Sequence, residues 1–77
     1  MKTIESLIIY TKNKTISLTG SDIVQQKKIS ECNINDIDTI LNKNKFIHLT
    51  YKLEYEILTE ILNTNHITNI MINLDYN

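Results

Sequence analysis

Seventy-seven residues with a formal net charge of −1, one cysteine, and no arginine, proline, alanine or tryptophan exclude several classes at once. A lone cysteine rules out an intrachain disulfide framework, and near-neutral charge without the bidentate arginine fork removes the overall pull toward phosphate. The length fits a single compact domain over 1–77, near the lower limit of what a hydrophobic core alone stabilises. Fifteen isoleucines, ten asparagines, eight lysines and four tyrosines all draw on AT-rich codons. The bias therefore reflects genome composition, as in a low-GC bacterium, its phage or plasmid, or an AT-rich eukaryote.

Leu7-Ile8-Ile9-Tyr10 is too short an apolar run for a signal-peptide core or a membrane span. A cytoplasmic protein with no membrane partner is the expectation. The runs Ser6–Thr11 and Thr15–Thr19, joined by Lys12-Asn13-Lys14, predict a β-hairpin in which Leu7 and Ile9 share a face, as do Ile16 and Leu18 on the partner strand. The rival reading makes Thr3 an N-cap for a short helix packed through Ile4, Leu7 and Ile8. Gly20-Ser21-Asp22 is a turn signal. Ile23–Glu31 is the least legible stretch, and Ile23-Val24 favours a third strand. Gln25-Gln26-Lys27-Lys28 suits either a helix or an exposed edge strand guarded by lysines.

Asn33 or Asn35 caps the next element, a helix with the stripe Ile34, Ile37, Ile40 and Leu41. Asp36 and Asp38 suit its positive end, and Lys43 and Lys45 its negative end. Phe46–Tyr51 alternates as a strand, with Ile47, Leu49 and Tyr51 on one face. Over Lys52–Asn63 the apolar spacing of Leu53, Ile57, Leu58, Ile61 and Leu62 predicts a second helix, its Ile57 and Ile61 buried against the sheet. Ile67–Tyr76 returns to alternation, with Ile70, Ile72, Leu74 and Tyr76 opposite Asn69, Met71, Asn73 and Asp75. The expected fold is α+β, a small two-layer sandwich of order β-β-(β)-α-β-α-β with helices on one face of the sheet. If Phe46–Tyr51 and Ile67–Tyr76 are neighbours, the crossover helix makes them parallel and the connection right-handed.

Chemistry-bearing residues are sparse. Cys32, His48 and His66 show no paired metal-ligand spacing, and one Cys with a distant His is no catalytic signature. Glu56 and Glu60, one helical turn apart, read as a solvated face, and a single glycine builds no phosphate loop. No cofactor and no enzymatic activity are expected. The carboxylates Asp36, Asp38, Glu54, Glu56 and Glu60 instead form candidate contact patches for a partner protein, mimicking phosphates locally. An alternative is an open sheet face of Phe46, His48, Asn69 and Asn73 that stacks and hydrogen-bonds single-stranded nucleic acid. A homodimer through an unguarded Ile67–Tyr76 edge is a further expectation.

Leu7-Ile8, Lys12-Asn13-Lys14, Thr15-Ile16 and Leu18-Thr19-Gly20-Ser21-Asp22 resemble the start of one small phage anti-CRISPR family, the inhibitors of Cas9. The resemblance covers about sixteen residues with a two-residue gap, and the chain departs from the family's pattern beyond Asp22. That family is strongly acidic and begins with a helix, whereas this chain is nearly neutral and its start reads as a hairpin. The resemblance implies a non-enzymatic inhibitor, encoded by a phage or mobile element, that occupies the surface of a host defence protein. It implies a role for the acidic turn at Asp22 alone.

Overall fold

The computed structural model describes residues 3–75; the part of the last predicted strand that falls on Tyr76 lies outside them. The first strand, β1 (Thr3–Thr11), turns back into β2 (Thr15–Thr19). Two short strands, β3 (Ile23–Val24) and β4 (Lys27–Lys28), lead through a 3-10 turn at Ile29–Glu31 into helix α1 (Ile34–Lys43). A long hairpin follows, β5 (Phe46–Leu53) with β6 (Glu56–Asn63). A second 3-10 turn at Thr64–His66 joins it to β7 (Ile67–Asp75).

The strands form two antiparallel sheets, ordered β2-β1-β7 and β4-β3-β5-β6. The predicted first hairpin forms, in a register that sets Leu7 opposite Leu18 and Ile9 opposite Ile16, so β1 is a strand and the helical alternative fails. Alternation puts these four residues on one face, and all are buried. The third strand is present as well, in a tight hairpin whose turn residues Gln25 and Gln26 both have positive φ, 49° and 70°. Positive φ at both central positions gives the mirror-image turn whose twist matches a two-residue hairpin. Lys27 and Lys28 lie on the outermost strand of their sheet.

Three expectations are overturned. Lys52–Asn63 is no helix: its first residues complete β5 and the rest forms β6, paired antiparallel from Phe46–Asn63 to Leu53–Glu56. The doublets Ile57-Leu58 and Ile61-Leu62 satisfy a helical stripe, but in a strand they put one apolar residue on each face. A helix here would also leave one edge of β5 unpaired, since β3 takes only the other edge and β7 pairs with β1. Ile57 and Ile61 are consequently 76% and 61% exposed, the reverse of the buried keystones expected. Secondly, β5 and β7 are not parallel neighbours; β7 pairs antiparallel with β1, in the other sheet. Thirdly, the fold is a mixed α+β arrangement of two sheets with one α-helix, not a two-layer sandwich with helices on one face.

The core lies between the sheets and draws on both. Ile4, Leu7, Ile9, Ile16 and Leu18 from one meet Val24, Ile47, Leu49 and Leu62 from the other, with Ile29, Cys32 and Ile37 closing the cluster. Helix α1 starts in a reciprocal cap, the Asp36 N–H donating to Asn33 Oδ1 at 2.8 Å and the Asn33 N–H to Asp36 Oδ2 at 3.0 Å. Satisfying two end donors this way fixes where the helix begins. It buries Ile37 and half-buries Ile40 and Leu41. Gly20 is where Ser30 packs against the β2–β3 turn: a Cβ there would come within 3.3 Å of the Ser30 Cβ.

Candidate functional site

Large apolar side chains are exposed mainly on one hairpin. Seven are exposed among the described residues, and five of them, Phe46, Leu53, Tyr55, Ile57 and Ile61, belong to β5, β6 or the turn between them. Their positions follow from the pairing. His48 opposes Ile61, Thr50 opposes Thr59 and Lys52 opposes Ile57, so these residues share the face turned away from the core, with Phe46 beside them. The Thr50 and Thr59 hydroxyls meet at 3.4 Å across the middle of that face. Leu53 and Tyr55 project at the tip, where Tyr55 is 99% exposed. Glu54 makes the turn with a φ of 55°, and Glu56 follows it, both carboxylates exposed.

The opposite face of the hairpin holds the chain together. Glu60 points inward, accepts from the Tyr51 hydroxyl at 2.9 Å and pairs with Lys14 Nζ at 2.6 Å. Partial burial works to raise the Glu60 carboxyl, but the bonds from Lys14 and Tyr51 outweigh it and hold the group below the usual carboxylate range. The same contact, through its hydrogen bond, raises Lys14. Burial, helped by the Glu60 bond, raises the Tyr51 phenol, so it stays protonated as the donor. An open groove of about 350 Å³ beside this cluster is bordered by Lys14, Glu60, Phe46, Ile61 and His66.

The predicted acidic patches divide in three. Asp36 is engaged in the helix cap and lies 3.8 Å from Lys27. Asp38 accepts from the Asn42 side chain at 3.0 Å, and Glu60 is committed to Lys14 and Tyr51. Glu54 and Glu56 alone among the five stand together at an exposed tip, on a hairpin and not on the expected helix. The predicted nucleic-acid face also separates. Phe46 and His48 lie on β5, whereas Asn69 and Asn73 lie on β7 in the other sheet, and Asn73 donates to the Ser6 hydroxyl at 2.9 Å. They form no common platform, because β7 joined β1 instead of β5.

Asp22 is buried and bridges the sheets. Its Oδ2 accepts from the Thr19 N–H at 2.7 Å, and its Oδ1 from the Lys52 N–H at 3.2 Å. The acidic turn is thus a structural link between β2 and β5. Cys32 is buried, with its thiol pushed up by desolvation and its Sγ 3.4 Å from the Lys28 carbonyl oxygen. Burial of this kind suppresses the reactive thiolate. Among the described residues, no group of three or more His, Cys, Asp or Glu is placed to hold a metal ion. No helix there is long and apolar enough to cross a membrane.

Residues missed by sequence reasoning are Leu53, Tyr55, Ile57 and Ile61. The signal that finds them is the β-branched set Ile57, Thr59 and Ile61 at period two. The helical spacing of the doublets masked it. No family model, curated protein or solved structure matches the chain.

Proposed function

We propose that this protein is a non-catalytic protein-interaction module that works through the outer face and tip of the β5–β6 hairpin. The observation that carries the reading is the clustering of exposed apolar side chains there, with Ile57 and Ile61 uncovered on one strand. Contiguous exposed apolar surface on a small domain marks a contact site, and aromatic residues such as Phe46 and Tyr55 are favoured anchors for one. A narrower form of the reading is an anti-CRISPR-like inhibitor that occupies a nucleic-acid-binding surface. Glu54 and Glu56 support it, being exposed beside Tyr55 where carboxylates can face a basic partner.

The experiment is capture with three immobilised proteins: wild type, the double variant Phe46→Asp/Tyr55→Ala, and Ser17→Asp on the other sheet. A partner held by wild type and Ser17→Asp but released by the hairpin variant supports the reading. Equal retention by all three, with unchanged circular dichroism, overturns it. Adding the purified protein to a CRISPR effector nuclease tests the narrower form: undiminished DNA cleavage at saturating protein sinks it.

A further inference from the structure

We propose that β6 pairs antiparallel with β6 of a second copy, joining two four-stranded sheets into one through a two-fold axis at Thr59. The inference rests on the reading that this hairpin is a contact surface, and it names one occupant of its edge. In sheet order β6 is outermost. A two-residue turn closes on the hydrogen-bonded pair Leu53–Glu56, and alternation from there places Ile57, Thr59 and Ile61 at non-hydrogen-bonded positions facing β5. The short Thr50–Thr59 contact agrees with that phase. The N–H and C=O groups of Ile57, Thr59 and Ile61 therefore point to the open edge. No proline, lysine or register break interrupts the strand, although proteins ordinarily guard such edges with those devices.

Of the three other outer strands, β2 is only five residues long, and the remaining two carry guards. Lys27-Lys28 is short and doubly lysine-bearing. On β7 the register against β1 shifts between Asn69 and Ile67, which leaves Thr68 as a bulge that bends the edge. The start of α1 also flanks that strand, Ile34 and Leu74 bordering a common groove. The edge expected from sequence for a dimer, Ile67–Tyr76, is thus the less suitable of the two long ones.

The sequence of β6 then selects one register. Two antiparallel self-pairings match face to face over almost the whole strand. One centres on Glu60 and sets that carboxylate directly against its counterpart, a destabilising like-charge pair. The other centres on Thr59. It sets each Ile57 opposite Ile61 of the second copy, Glu56 opposite Leu62 and Glu60 opposite Leu58. Four isoleucines then line one outer face and no glutamates oppose directly. Lys14 already neutralises each Glu60.

Light scattering across micromolar to millimolar concentration should show the 9.0 kDa chain doubling in mass. Thr59→Pro removes an N–H that the β5 ladder does not use, and should weaken dimerisation roughly ten- to a hundredfold by deleting two intermolecular hydrogen bonds. Ile57→Lys, at an exposed site, is the second variant should proline perturb folding; it should likewise leave a folded monomer. Register is read by cysteine scanning under mild oxidation, Cys32 being buried. Thr59→Cys should cross-link, since opposed residues lie within disulfide reach, and Leu58→Cys, Glu60→Cys and Met71→Cys should not. A monomer at every concentration, or preferential cross-linking through Met71→Cys, overturns the inference. Phe46→Asp separates the two readings: partner capture lost with the dimer intact bears on function alone, whereas a monomer that still captures a partner overturns the dimer alone.

Discussion

Lys14 and Glu60 join the two sheets through a charged contact. Nζ of Lys14, in the loop between β1 and β2, lies 2.6 Å from Oε2 of Glu60 on β6. The Glu60 side chain is 21% exposed and that of Lys14 51%, so solvent screens the pair and its worth is about 1 kcal/mol at most. Glu60 titrates below its ordinary value when folded. Its contribution is therefore present above the unfolded pKa of about 4.3 and fades as pH falls through the lower folded value. Urea unfolding of wild type and Glu60→Gln should differ most near neutrality and converge below about pH 4. A constant difference down to pH 3, roughly a unit below the unfolded pKa, would show that the contact is not ionic. Lys14 has the opposite sign: raised when folded, its share persists until alkaline pH passes that raised value.

Asp22 should matter more than any surface carboxylate. It is buried, and the N–H groups of Thr19 and Lys52 both depend on it. Removing the acceptor leaves those donors without their protein partner, at a cost of about 1–3 kcal/mol for each buried group left unsatisfied. Asp22→Ala should lower the urea midpoint clearly, while Asp38→Ala should leave it nearly unchanged. Equal midpoints for Asp22→Ala and wild type would refute the bridging role.

The hairpin assignment is tested by a pair of truncations that a helix would rank the other way. Leu49 is fully buried and Ile57 largely exposed. Leu49→Ala should cost about 2–5 kcal/mol through lost transfer energy and a cavity, enough to unfold much of so small a domain. Ile57→Ala should change thermal stability by no more than about 0.5 kcal/mol, the usual range for a surface site. Unfolding by Ile57→Ala would restore the helical register for residues 52–63.

Gln26 offers a stabilising substitution. Its φ of 70° is a left-handed conformation costly for a residue with a Cβ. Glycine reaches it without that cost, so Gln26→Gly should raise stability by roughly 0.5–1 kcal/mol. Gln25 should not be exchanged in the same way: its side-chain oxygen accepts from the His48 N–H at 2.7 Å. A lower melting temperature for Gln26→Gly would contradict the turn geometry.

By itself the sequence determined the elements whose signals were local. Alternation in β1, β2 and β5, the glycine turn, the Asn33 cap and the lysine-bearing edge at Lys27-Lys28 all act within a few residues of themselves. The tertiary structure alone decided what became of residues 52–63. Ile57-Leu58 and Ile61-Leu62 satisfy a period of 3.6 as well as a strand with apolar residues on both faces, and only the edge of β5 that β3 leaves open resolves the choice. That decision moved Ile57 and Ile61 from the core to the surface and sent β7 to the edge of β1. It also separated Asn69 and Asn73 from Phe46 and His48. The candidate site exists for the same reason: β6 is the last strand of its sheet, so it pairs with β5 along one edge and leaves the other open.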